Sequence, residues 1–342
     1  MPVRSLFALA LTAGLVVPLD STFAEESMLS SVTETVQTVF QNTKNAVVKI
    51  RSSDKHGHSV GTGFLIDPNG TCYTTFAVAG ESDNITVEMN GKEYPAKRLV
   101  ADARSGIALL KIDARTAFLP MGKSHELTIA TPVVTVGYPL DLPETPTLGF
   151  IAGFDLKYLN SYFTTTHIRA NISVQRGESG APLINTKSEV VGILISGLDG
   201  GSACYALPIE AAEKIRSDYV RYGEVRHGWI GITVASSPTT TAGSSAVVDT
   251  LGEQTPASDS GVQKGDTLVK IGNVVVSKPE DVLNGSYFLT AGENIPVEVV
   301  RGGEHLSFTV PAVEHPFSEK SRNSQAVTKL DFGESLSLTS GD

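Results

Sequence analysis

The stretch Gln175-Arg176-Gly177-Glu178-Ser179-Gly180-Ala181-Pro182-Leu183 sets a serine between glycines on what reads as a tight turn leading into a strand. That combination suits acyl transfer. Small neighbours let a substrate carbonyl approach, and the backbone N–H groups of Gly177 and Ser179 can converge on one oxyanion. Taken alone, a G-x-S-G turn is equally a plain turn. A serine hydroxyl is also a poor nucleophile unless a base takes its proton. The histidines available for that task are His56, His58, His125, His167, His227, His305 and His315. His56 and His58 fall on a loop before the run Gly61-Thr62-Gly63-Phe64. His167 lies in a strand-like run and reads as structural, and His227 sits in a linker, so neither is assigned a role. His56-x-His58 has no carboxylate or cysteine cluster beside it, so no metal site is expected, and no cofactor motif is present.

The elements around this turn are short and rich in β-formers. Residues 28–44 read as a helix, with Val32, Val36, Val39 and Phe40 at helical spacing. From residue 46 onward come AVVKI, GTGFLI, CYTTFAV, NITVEM and GIALLKI, separated by turn signals such as DPNG. A second set follows: TPVVTVGYP, TLGFIAGF, YFTTTHIRA, EVVGILIS and ACYALPI. Two such sets predict two small β-barrels packed together. PIEAAEKIRSDYVRYG (208–223) is a helix ending at Gly223. Beyond it, WIGITV, SAVVDTL, GVQKGDTLVKIGNVVV, a helix at PEDVLNGSYFL and the hairpin IPVEVVRGGEHLSFTV outline a small α/β module.

With these motifs in order, the chain resembles the HtrA family of trypsin-like serine proteases carrying a PDZ domain, over roughly residues 30–314. GTGFLIDPNG (61–70) is similar to the family's G-S-G-F-I-I-x-P-D-G, and DARSGIALLKID (102–113) to its D-x-x-x-D-L-A-V-L-K segment. VGYPLDL (136–142), GESGAPL (177–183) and YGEVRHGWIGITV (222–234) match in turn. The resemblance implies a mainly β chain: a chymotrypsin/trypsin-like double β-barrel at 30–222, then a PDZ domain at 226–314. It also implies where a triad would stand. Counted from Gly61, the family's histidine falls on Ala77; counted from Asp102, its aspartate falls on Gly106. Ser179 alone remains, with Gly177 and Ser179 at the oxyanion hole. In a comparable hydrolase, loss of the base costs about 10⁶ in kcat, and the second loss then adds little. The expectation is a pseudoprotease that binds peptides or unfolded segments as a scaffold, holder or regulator. The alternatives are a serine endopeptidase using Ser179 with a non-standard base, and a purely structural subunit.

For the second module the resemblance implies capture of peptide C-termini, added as a strand, by a loop at Trp229-Ile230-Gly231-Ile232. Gly231 permits close backbone approach. Family members assemble as trimers through the N-terminal segment, so a homotrimer, or assembly with an active HtrA-like relative, is implied as well.

Composition bounds the remainder. The chain has 342 residues, 41% hydrophobic and 19% charged, with formal charge −10. No Lys/Arg run forms a basic patch, which speaks against nucleic-acid partners. Arg4, the apolar run 6–19 and Thr22-Phe23-Ala24 read as a signal peptide cleaved after Ala24. A periplasmic or secreted protein with no stable membrane anchor is expected. The tail 315–342 is polar and Ser-rich and reads as disordered. Cys72 and Cys204 read as two separate buried thiols in strand-like runs.

Overall fold

A strand whose neighbours cover both faces carries apolar residues at successive positions, and one with a solvated face alternates. Both patterns occur here. Val47, Val48 and Ile50 on β1 (Val47–Asp54) and Val190, Val191, Ile193 and Leu194 on β11 (Val190–Gly197) are buried. β4 (Asn84–Met89) alternates, burying Ile85, Val87 and Met89. The computed structural model describes residues 21–315 apart from 56, 160, 199–200, 238–242 and 253, and the backbone alone for 21–29. The leader up to residue 20, the tail beyond 315, His56 and part of the Ser/Thr-rich stretch lie outside the described residues.

α1 (Ser21–Thr43) begins earlier than the helix expected at 28. The first closed barrel joins β1, β2 (Gly57–Leu65), β3 (Thr71–Thr75), β4, β5 (Lys92–Asp102) and β6 (Ile107–Ile112) in the order β1-β2-β3-β6-β5-β4. Its centre holds Phe64, Leu65, Tyr73, Leu109 and Leu110, all at most 2% exposed, each stabilising the fold by roughly 1.5–3 kcal/mol. The run 72–78 is not one strand. It turns at Phe76 into a single helical turn, α2 (Phe76–Ala79), directly after the Phe76 N–H continues the β3–β6 register onto the Gly106 carbonyl at 2.8 Å. His58 lies within β2, opposite Ser53, rather than on a loop, since the β1–β2 pairing runs on to Asp54 and Gly57.

The second closed barrel joins β7 (Pro132–Gly137), β8 (Thr145–Tyr158), β9 (Ser161–Ala170), β10 (Pro182–Asn185), β11 and β12 (Cys204–Pro208) in the order β10-β11-β12-β9-β8-β7. Cys72 and Cys204 are buried in different barrels and unpaired. α3 (Ile209–Tyr222) lays Ile209, Ala211, Ala212 and Ile215 against the core. Gly223, with φ of 77°, ends it by returning its N–H to Tyr219; the left-handed backbone there favours glycine.

The last unit holds β13 (Gly228–Trp229), β14 (Ile232–Ser236), β15 (Ala246–Leu251), α4 (Pro256–Asp259), β16 (Thr267–Ile271), β17 (Val274–Val275), α5 (Pro279–Tyr287), β18 (Asn294–Arg301), β19 (Glu304–Pro311) and β20 (Val313–Glu314). Its sheet runs β14-β15-β16-β18-β19, and β13 pairs with β20. Leu268, Ile271, Val297, Val299 and Val310 form its own core. α5 docks this unit on the second barrel. Asn284 Oδ1 accepts from Thr165 Oγ1 at 2.5 Å and Thr166 N at 3.2 Å, and Tyr287 donates to the Ala211 carbonyl at 3.0 Å.

Candidate active site and peptide groove

The turn carrying Ser179 is pinned between the barrels. On the first-barrel side, Thr62 N donates to the Ser179 carbonyl at 2.9 Å and Thr62 Oγ1 donates to the Gly177 carbonyl at 2.8 Å. On the second-barrel side, Gly180 N donates to the Leu194 carbonyl at 2.8 Å. The glycines are sterically required. A Cβ at Gly177 would sit 2.3 Å from the Tyr138 carbonyl oxygen, and one at Gly180 would sit 2.2 Å from that of Thr62. Both have left-handed backbone, with φ of 96° and 90°.

Within this frame the Ser179 hydroxyl has one hydrogen-bond partner among the described residues, the Thr75 hydroxyl at 2.9 Å. Neither group is a base at neutral pH. The Gly177 and Ser179 amides donate to no acceptor among the described residues, leaving two N–H groups beside the hydroxyl. Between them, buried Glu178 accepts from Gln175 N at 2.6 Å, and burial raises its carboxyl above the usual range. The neighbouring 138–142 segment is bent, with Leu140 and Asp141 at φ of 50° and 63°. It is tied to the turn by Leu140 N donating to the Arg176 carbonyl at 2.7 Å, and to β1 by Lys49 and Arg51 on Asp141.

Ala77 is exposed on α2, two residues beyond Thr75. Gly106 closes the β5–β6 turn with φ of 75°, and its missing Cβ would face Ile195 Cγ2 at 3.6 Å. An alanine and a glycine supply neither proton acceptor nor orienting carboxylate. The described histidines are engaged elsewhere. His125 Nδ1 meets Glu210, His305 stands on β19 opposite Val300, and the His315 ring packs on Trp229. His167 is buried against Phe163, and burial lowers its pKa to about 4.

His227, given no role from sequence, bridges two units. Its Nε2 is 2.8 Å from Asp102 Oδ1, while Asp102 Oδ2 accepts from Ser105 N at 2.9 Å. Burial pushes the Asp102 carboxyl up, but the His227 and Ser105 hydrogen bonds outweigh it and hold it below the usual range. The linker is therefore a contact between folded units. Nearby, buried Lys214 and Asp218 pair on α3, with Asp218 also accepting from Arg226 N and Thr290.

Trp229, Ile230, Gly231 and Ile232 come together along one pocket of about 240 Å³, with Ile271 from β16 and Val282 and Ser286 from α5. Gly231 has φ of 80°, and a Cβ there would lie 2.4 Å from Thr255 Cβ. The pocket also receives Arg104 from the β5–β6 turn. Thr75 and Arg104 were not singled out from sequence. Thr75 carried a faint signal, a hydroxyl pair with Thr74 ending a buried strand, whereas Arg104 carried none.

Among the described residues no group of His, Cys, Asp and Glu is placed to hold a metal ion, and no helix is long and apolar enough to cross a membrane.

A family model described as a trypsin-like peptidase domain matches residues 61–193, and one described as a PDZ domain matches 228–312. A probable periplasmic serine endoprotease DegP-like from Pseudomonas fluorescens is 30% identical over 274 residues, covering 76% of this chain and 57% of that protein. One of the same description from Halomonas elongata is 28% identical over 281 residues, covering 78% and 59%. The chain thus spans somewhat more than half the length of these curated relatives. Among solved structures, the HtrA-type protease AlgW with tripeptide superposes with a TM-score of 0.69 at 22% identity, covering 82% of this chain and 97% of that one. A serine endoprotease from Yersinia pestis superposes with a TM-score of 0.60 at 24% identity, covering 82% and 98%. Two closed barrels with the Ser179 turn pinned between them, followed by a PDZ unit, give this chain a trypsin-like peptidase fold with one PDZ domain, similar to the DegP-like and HtrA-type proteins above.

Proposed function

We propose that this chain is an exported, non-hydrolysing member of that type, which binds peptide C-termini or unfolded segments and has kept the protease fold as a binding frame. The observation that carries the reading is the pairing of the Ser179 hydroxyl with Thr75, another hydroxyl, at 2.9 Å. Attack on a carbonyl needs a group to accept the serine proton. Ala77 and Gly106 occupy the positions from which the family resemblance would supply and orient that group. The unengaged Gly177 and Ser179 amides are consistent with an oxyanion hole that outlasts the triad. Oxyanion hole and binding alone sustain about 10³–10⁴ over water, which is negligible for peptide hydrolysis. The periplasmic naming of the DegP-like relatives supports export. Bound peptides in the solved AlgW structures support the groove as a binding element. A trimer, or a mixed assembly with an active relative, belongs to the same reading and is tested by light scattering.

The deciding experiment is cleavage of casein by the purified chain beside Ser179→Ala. Equal silence of both is expected. Cleavage by the natural chain that Ser179→Ala abolishes would overturn the reading and establish an endopeptidase with an unconventional base.

A further inference from the structure

Arg104 is a cation in an unusual position. It sits on the β5–β6 turn of the first barrel, yet its side chain lines the pocket formed by Trp229–Ile232 in the other domain. It is half-buried, and among the described residues its guanidinium has no hydrogen-bond acceptor and no ion-pair partner. The Tyr287 ring lies 5.8 Å from it, near the outer limit of a cation–π contact. Burial pushes its pKa down, and the attraction of Asp102 and Tyr287 only partly offsets it. Asp102, the carboxylate whose field reaches it, is already held by His227 and the Ser105 amide. A largely desolvated cation with no carboxylate in direct contact is costly. Ile230, Ile232, Ile271 and Val282 give the pocket an apolar wall, and His227, Ser286 and His315 are its other polar side chains. A ligand matching both features has one carboxylate beside an apolar side chain, which is the C-terminal residue of a peptide.

We propose that Arg104 is a carboxylate-binding residue of the peptide groove, so that the site for a peptide's C-terminus is built jointly by the PDZ unit and the barrel. This rests on the reading of Trp229–Ile232 as a groove for C-termini, and adds to it a specificity-determining residue from the other domain. A guanidinium donates through a planar fork to both carboxylate oxygens, whereas the backbone N–H groups of the Trp229–Ile232 loop alone carry no net charge. Discrimination against a neutral terminus should therefore depend on Arg104.

The test uses the mature full-length chain and a fluorescein-labelled decapeptide ending in leucine, with its terminus free or amidated. Affinity is read by fluorescence anisotropy for the natural protein, Arg104→Gln and Arg104→Lys. The natural chain should prefer the free terminus at least tenfold. Arg104→Gln should weaken the free peptide about tenfold while leaving the amide nearly unchanged, and Arg104→Lys should recover part of the preference. Retention of the full preference by a folded Arg104→Gln would overturn the role of Arg104 and leave the groove reading standing. Equal binding of free and amidated peptide by the natural chain would overturn both. If Arg104→Gln loses its native melting transition, Arg104→Lys decides: equal loss of free and amidated binding in that folded variant counts against the proposal, and selective loss of the free peptide supports it.

Discussion

Replacing His227 with alanine strips one partner from a buried carboxylate at the junction of two domains. Asp102 is 8% exposed; it loses the 2.8 Å contact at Oδ1 and keeps the Ser105 amide at Oδ2. A hydrogen bond to a charged group contributes about 1.5–3 kcal/mol, and breaking a fully buried pair costs about 3–5 kcal/mol. The His227 side chain is 24% exposed, so water can enter the space it leaves, which places the loss near 2 kcal/mol. The assay is urea unfolding followed by the fluorescence of Trp229, the single tryptophan, two residues beyond the substitution. The pH dependence has a fixed sign. Asp102 has a depressed folded pKa, so its stabilisation is complete above the ordinary carboxyl value near 4 and is lost as pH falls through the folded value. The natural chain should exceed His227→Ala at pH 7, and the gap should close as pH falls through the folded value of Asp102. A gap under about 0.5 kcal/mol at pH 7, within the range of an ordinary surface substitution, or one that persists undiminished once Asp102 is protonated, would refute the reasoning.

Gly177→Ala should destabilise by about 3 kcal/mol or prevent folding, because left-handed strain of about 1–2 kcal/mol adds to a 2.3 Å approach to the Tyr138 carbonyl; an unchanged melting temperature would show that the turn yields. In the Ala77→His/Gly106→Asp pair, the exposed histidine should be nearly neutral, and the aspartate should cost about 1–2 kcal/mol from its φ of 75° alone, since Ile195 leaves ordinary room; casein cleavage appearing in this variant would show the cleft and oxyanion site to be intact. Burial raises both thiols to about 12, so native protein should leave a thiol-reactive dye unreacted at pH 8 while unfolded protein takes up the dye at Cys72 and Cys204.

The alternation in NITVEM, the run AVVKI and the Gly-flanked turn at Ser179 are legible in the sequence because those signals are local. The helix at 208–223 is legible for the same reason, its end fixed by the backbone of Gly223. What sequence hides is contact between distant segments. The hydroxyl of Thr75 meets Ser179 across a separation no periodicity encodes. Phe76 makes the last rung of its strand on the Gly106 carbonyl, on another turn, before the chain coils into α2. His227 looks like a linker residue until Asp102, buried at a barrel edge, is placed beside it. Arg104 is one more surface-type residue in the sequence and becomes a pocket wall only when the domains dock.

With the pocket taken as the proposed peptide groove, that docking bears on the kinetics of capture. α5 presents Val282 and Ser286 to the groove while its Asn284 is fastened to Thr165 and Thr166 of β9, and Tyr287 is anchored under α3. One wall of the groove is thus held at the right distance before any peptide arrives. The conformational entropy of shaping that wall is spent during folding rather than at each encounter. Association should then follow simple bimolecular kinetics, with the ordering cost falling almost wholly on the incoming strand.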